Sequence, residues 1–228
     1  MRLLGWDFMR KRVVALVSGG VESLCLVVRL LQRAYHVAPV YVRCGLRWES
    51  AEQWWLRKWL QAIRHPRLRP LVVLDLPVAS LYGHHWSLTG RSVPSRRTRD
   101  EAVYLPGRNL LLLSAAAIYA ARQGVSRLAL GTLVGNPFGD ATPRFFHQAG
   151  DCLRQALDRP IQIATPLRHF TKTRLIAAMG DQPFRLTFSC LQPRGRRHCG
   201  DCNKCAERRR AFRLAGVADP TPYAVRSQ

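Results

Sequence analysis

The sequence predicts an α/β protein, a doubly wound, mainly parallel sheet followed by a C-terminal zinc-binding segment. Three observations predict it. Short apolar, β-rich runs alternate with stretches of helical period. A glycine turn joins the first run to the first helix. Four cysteines stand close together near the end of the chain.

Val13 to Val17 is a β-branched run that stops at Ser18-Gly19-Gly20. Leu24, Val27, Val28, Leu30 and Leu31 then recur at helical spacing, so this is strand, turn, helix. Val37 to Val42 reads as a second strand. Glu49 to Ile63 reads as a helix with an aromatic face of Trp54, Trp55 and Trp59. Leu71 to Leu76 is the third strand. Tyr82 to Asp100 shows no period and is read as a long loop, a length usually functional or mobile. Pro106-Gly107 opens a helix over Arg108 to Arg122. Arg127 to Leu130 is the fourth strand, ending at Gly131.

Pro143 to Leu157 is a helix with Thr142 as N-cap and Pro143 in first position. Ile161 to Ile163 is a short fifth strand. Thr171 caps a helix running to Ala178 and closed by Gly180. From Phe184 the chain is rich in cysteine and arginine, with Asn203 to Ala215 helical. The expected division is an α/β domain over 1–183 and a metal-binding segment over 184–228 packed on the same domain.

A chain of 228 residues that is 47% hydrophobic is neither a disordered tail nor a minimal disulfide scaffold. Lys plus Arg is 36 against 14 for Asp plus Glu, a net charge of +22 that suits polyanionic partners. Only Lys11, Lys58, Lys172 and Lys204 are lysines, leaving 36 − 4 = 32 arginines, scattered without a block of like charge. Compositional bias therefore explains the charge as well as nucleic-acid binding does. Met1 to Arg12 lacks the apolar run and cleavage site of a secretory leader. Leu110 to Ala121 is too short to span a bilayer. A cytoplasmic protein is expected. In a reducing compartment its seven cysteines are metal ligands or catalytic groups rather than disulfides.

Ser18-Gly19-Gly20-Val21-Glu22-Ser23 lies where an anion would be held. Glycines let backbone N–H groups face phosphate oxygens, and the helix N-terminus adds a favourable dipole. Ser18 and Ser23 can donate as well, and Glu22 could hold a magnesium ion bridging the phosphates. No Gly-Lys-Ser or Gly-Lys-Thr follows, so this is not a Walker loop. Cys190, Cys199, Cys202 and Cys205 read C-x8-C-x2-C-x2-C, which suits a closed tetrahedral zinc site better than an iron–sulfur cluster. His198 reads as a surface residue. Cys25 and Cys152 read as core residues on helices, and Cys44 as pocket lining at a strand's carboxyl end.

Five motifs in order resemble the 7-cyano-7-deazaguanine synthase (QueC) family of the N-type ATP pyrophosphatase, or PP-loop, superfamily, whose fold is HUP-like. They are Ser18 to Ser23; Leu105-Pro106-Gly107-Arg108-Asn109; Asp140 with Phe145 or Phe146; Thr165-Pro166-Leu167 with Thr171-Lys172; and the cysteine segment ending at Arg208. The resemblance spans about Val13 to Phe212. It implies ATP-dependent adenylation of a carboxylate, with ammonia then giving an amide and a second ATP a nitrile. The implied substrate is 7-carboxy-7-deazaguanine and the implied cofactors are ATP, Mg²⁺ and Zn²⁺. Ser18, Gly19, Gly20 and Ser23 would cradle phosphates, with Glu22 on magnesium. Arg108 and Lys172 would offset charge on pyrophosphate or the acyl-adenylate, and Asp140 would hold a second metal or read a purine-like base. A homodimer is also implied.

Glu22 stands where the family has Asp. Arg43 to Glu49 and Thr132 to Gly139 depart from the family's pattern beside the expected acceptor pocket, with His84 to Gly90 as a further candidate wall. Two other readings stay open. One is a family paralogue adenylating a different acceptor, such as a protein terminus, another small carboxylate or tRNA. The other is a non-enzymatic zinc-ribbon nucleic-acid binder.

Overall fold

Alternate residues of the first strand, β1 (Arg12–Leu16), serve opposite faces of one sheet. Val14 and Leu16 enter one apolar cluster; Val13 and Ala15 enter another. A strand buried on both faces reads as a continuous apolar run, which is how it stands out in the sequence. The computed structural model describes residues 11–224. The reading of the segment before Lys11 as free of a leader lies outside the described residues.

The other strands are β2 (His36–Arg43), β3 (Val72–Asp75), β4 (Arg127–Ala129) and β5 (Gln162–Ala164). All pairings are parallel and the order is β3-β2-β1-β4-β5. The chain steps from β1 to β2 and β3 on one side, then crosses back to β4 and β5 on the other. The switch point lies between β1 and β4, where open α/β sheets bind ligands at the strands' carboxyl ends.

The helices are α1 (Val21–Gln32), α2 (Glu49–Ile63), α3 (Ala79–Tyr82), α4 (Trp86–Thr89), α5 (Arg108–Arg122), α6 (Pro143–Leu157), α7 (Lys172–Ala178) and α8 (Asn203–Leu214). α5 and α6 pack on one face through Leu113, Ala116, Ala117, Phe146 and Leu153. α1, α7 and α8 pack on the other through Leu24, Val27, Leu175, Ile176 and Phe212. α2 contributes to both, with Ala51 on one side and Leu56 and Trp59 on the other. Thr142 caps α6 by accepting the Phe145 N–H at 3.1 Å, and Thr171 caps α7 by accepting that of Arg174 at 3.1 Å.

Three local expectations are corrected. The Tyr82–Asp100 stretch contains α4, whose four residues are too few to show a period; the His85 side chain caps it. Gly180 does not close α7 in a left-handed turn, since Met179 ends the helix and Gly180 has no positive φ. Cys152 is exposed, on the outward side of α6, whereas Cys25 is buried as expected. Among the described residues, no helix is long and apolar enough to cross a membrane.

Candidate active site

The Ser-Gly-Gly turn leaves β1 and enters the first turn of α1, with its two serines bound to each other. Ser23 Oγ accepts the Ser18 N–H at 2.8 Å and lies 3.2 Å from Ser18 Oγ. The Gly20 N–H donates to Ser18 Oγ at 3.2 Å. Gly19 has no room for a side chain. A Cβ there would lie 3.0 Å from the Glu52 backbone oxygen and 3.2 Å from Phe188 Cβ. Its carbonyl also accepts the Phe188 N–H at 2.6 Å, which ties the cysteine-rich segment to the turn. Gly19→Ala is expected to cost about 1–3 kcal/mol of stability by overpacking. Urea unfolding checks this, and an unchanged midpoint would contradict it.

The turn borders a cleft of about 540 Å³ at the switch point. That volume is within the range of small-molecule sites. Ser18, Gly20, Glu22, Ser23 and Lys172 form one side. Gly131 at the end of β4 allows the strand to meet α1 closely, since a Cβ there would lie 3.1 Å from the Glu22 carbonyl oxygen. Trp48, Tyr104, Val134, Pro137 and Phe138 also line the cleft. The Tyr104 and Phe138 rings lie 5.0 Å apart and 31° from parallel.

Charge in the cleft is mostly paired. Lys172 Nζ lies 2.9 Å from Glu22 Oε1 and also contacts Glu207, whose other oxygen takes Lys204 Nζ at 2.6 Å. Burial works against the Lys172 ammonium, but the two carboxylates hold its pKa above the usual lysine range. Burial would likewise raise Glu207, but Lys172 and Lys204 outweigh it and hold the carboxyl at about 2. Arg108 differs. It lines the cleft from the first position of α5, and its Nε is buried without a hydrogen-bond partner. Thr132 Oγ1, after β4, is in the same condition. Buried donors left unpaired on a cleft wall fit a polar ligand.

Asp140 also lines the cleft, but its carboxylate already serves Asn109. Oδ2 accepts the Asn109 N–H at 2.9 Å, and the backbone oxygen accepts Asn109 Nδ2 at 2.9 Å. It thereby fixes the start of α5 beside Arg108. Beneath the glycine turn, buried Glu52 accepts from Tyr41 Oη at 2.7 Å. Burial pushes its carboxyl up, opposed by Arg108 and the Tyr41 hydroxyl.

Against the same cleft lie the buried Cys190, Cys199, Cys202 and Cys205, with their four Sγ atoms within 4.8 Å of one another. The Cys199–Cys205 and Cys190–Cys202 sulfurs are each 3.9 Å apart. A tetrahedron with metal–sulfur bonds of about 2.3 Å has edges of roughly 3.8 Å. Backbone N–H groups point at the sulfurs, as thiolates require: Cys199 and Gln192 to Cys190 at 3.2 and 3.3 Å, Cys202 to Cys199 at 3.3 Å. The cluster could therefore hold a metal ion, and its donor set fits zinc.

The family model described as "Queuosine biosynthesis protein QueC" matches residues 12–216. The chain belongs to the QueC family. It is 30% identical over 210 residues to the 7-cyano-7-deazaguanine synthase 1 of Desulfitobacterium hafniense, covering 90% of this chain and 93% of that one. It is 31% identical over 230 residues to the 7-cyano-7-deazaguanine synthase of Chlorobium phaeobacteroides, covering 94% and 98%. These relatives are synthases, so this QueC chain is an enzyme. Its fold is PP-loop-like. A 4-thiouridine synthetase solved in complex with RNA and bound ATP superposes with a TM-score of 0.53 at 15% identity, over 91% of this chain and 51% of that one.

The cleft thus gathers Ser18, Gly20, Glu22, Ser23, Arg108, Asp140, Lys172 and Cys190 of the expected QueC residues. Gly19 and Val21 are buried behind the turn, and Cys199, Cys202 and Cys205 behind Cys190. Other expectations are corrected. His198 is not on the surface: it is fully buried and Nε2 accepts the Ser189 N–H at 3.2 Å. Burial, with Arg208 nearby, pushes its pKa down to about 3, so it is a neutral packing group and not a cationic phosphate contact. Cys44 is buried in the core, outside the cleft lining, with its thiol raised to about 11 by burial. His84 to Gly90 does not line the cleft; Trp86 stacks on Trp48 from behind, with centroids 5.7 Å apart. Glu52, Lys204 and Glu207 line it without having been singled out. Lys204 and Glu207 are three apart on α8, a spacing that pairs them across one helical turn.

Proposed function

We propose that this chain is a 7-cyano-7-deazaguanine synthase, turning 7-carboxy-7-deazaguanine into its nitrile with ammonia and ATP. The QueC match over residues 12–216 is the observation that supports this reading most strongly. A carboxylate oxygen attacks the α-phosphorus of ATP, and pyrophosphate leaves. Ammonia attacks the acyl carbon, AMP departs with the C–O bonding pair, and a proton passes to solvent. The amide oxygen then attacks a second ATP, pyrophosphate leaves again, and loss of AMP and the remaining N–H protons yields the nitrile.

In this reading the Gly20 region and the Ser18 and Ser23 hydroxyls hold phosphate oxygens at the α1 N-terminus. Lys172 and the unpaired Arg108 Nε offset the charge gathered on the leaving pyrophosphate. Asp140 acts on α5 through Asn109 and so positions Arg108. Glu22 would hold magnesium here, which would supply charge neutralisation on the phosphates. That requires Glu22 to give up Lys172. Cys190, Cys199, Cys202 and Cys205 would hold a zinc ion that would serve as a structural staple. The described part of the cysteine-rich segment, residues 184–224, belongs to the same working unit, since Phe188 braces the glycine turn. The Tyr104–Phe138 side of the cleft offers aromatic faces to a planar base. A homodimer, as the resemblance implies, acting in the cytoplasm completes the reading; sedimentation at the mass of one chain would remove the dimer.

One observation favours a second reading. Asn136, Pro137 and Phe138 line the cleft where the resemblance leads one to expect an acidic pattern. The same adenylation chemistry on another carboxylate would fit such a wall. Product analysis by mass spectrometry with 7-carboxy-7-deazaguanine, and in parallel with other carboxylates, tests both readings.

A further inference from the structure

Glu207 belongs to none of the motifs that identify the nucleotide turn, yet it stands within the cleft in a row of alternating charge. The row runs Glu22, Lys172, Glu207, Lys204, with contacts of 2.9 Å at the first step and 2.6 Å at the last. Their side chains are 24, 16, 19 and 27% exposed, so water screens these pairs far less than surface pairs. All four residues line the cleft. They come from three helices: Glu22 from the first turn of α1, Lys172 from the start of α7, and Lys204 and Glu207 from α8.

A lysine is a compact charge on a flexible four-carbon stem, so its position depends on what holds it. Glu22 alone would carry Lys172 with it wherever it moved. Glu207 supplies an anchor on a different helix, and Lys204 occupies the second oxygen of that anchor and so fixes its orientation. We propose that Glu207 is a positioning residue for Lys172, keeping the ammonium in the phosphate half of the cleft when Glu22 is drawn away from it. The proposal rests on the ATP reading of the cleft.

Simple electrostatics and positioning predict different results for Glu207→Gln. Removing a negative charge from an anion site should leave ATP binding as tight or tighter, with turnover unharmed. Loss of the anchor should instead lower kcat without raising the KM for ATP. The test measures pyrophosphate release by the full-length chain for wild type, Glu207→Gln, Lys172→Ala and the double variant, with zinc content and melting temperature alongside. Expected is an about tenfold fall in kcat for Glu207→Gln, an unraised KM, and no further fall when it is added to Lys172→Ala. Glu207→Asp should recover part of the loss. Should Glu207→Gln lose zinc or melt early, Lys204→Ala gives the same comparison, with its kcat loss again confined to chains that keep Lys172. Wild-type kcat in Glu207→Gln, or an equal loss with and without Lys172, would overturn the positioning role alone. A wild-type protein that binds no ATP would overturn the role together with the ATP reading.

Discussion

Lys172→Ala is expected to lower turnover by about 10²- to 10³-fold, the usual cost of removing one donor aimed at charge that builds up in a transition state. The ammonium sits at the mouth of the glycine turn between Glu22 and Glu207. Its loss leaves two carboxylates facing the place where pyrophosphate would form. The α7 helix should persist, because its Thr171 cap and the buried Leu175 and Ile176 do not depend on the ammonium. A steady-state pyrophosphate assay reads the effect, and unchanged zinc content separates it from unfolding. Wild-type kcat in this variant would remove Lys172 from the phosphate site.

Cys202→Ser is expected to have the largest effect on stability. A structural zinc ion contributes about 10–16 kcal/mol of apparent binding free energy, comparable to the whole stability of a typical domain at about 5–15 kcal/mol. Cys202 is 3% exposed, and its backbone N–H donates to Cys199 Sγ. Serine would not supply the thiolate that a zinc ion needs as its ligand. The damage should spread, because Phe188 reaches the glycine turn and Arg208 ties α8 to Phe184 and Thr221. Metal analysis and thermal melting give the readout. About one zinc per wild-type chain is expected, with its loss and a much lower melting temperature in the variant. A variant that melts like wild type would show that the cysteines are not a metal staple.

Much of this architecture was legible because local signals agreed with tertiary burial. Glu49–Ile63 and Pro143–Leu157 have the bounds their patterning predicts, the latter through a threonine cap and a proline at its first position. Val13 to Val17 reads as a strand because both faces of the sheet are covered. The site was legible where backbone geometry imposes a residue type, as with glycines that leave no room for a Cβ. It was less legible where a role depends on a partner distant in sequence. Nothing near His198 signals that Phe188 and Tyr223 enclose it. The link from Lys172 to Glu207 joins residues 35 apart. Glu52 carries no local signal either, because its partner Tyr41 lies on a strand eleven residues earlier. Cys152 has a spacing consistent with burial, but it falls on the outward side of α6.

The most direct test incubates the purified chain with ATP, Mg²⁺, ammonium and 7-carboxy-7-deazaguanine and follows the acceptor by mass spectrometry. The account predicts conversion through the amide to the nitrile, with AMP and pyrophosphate released at each of the two activations. An unchanged carboxylate with no ATP consumed, or ADP and phosphate in place of AMP and pyrophosphate, would contradict it.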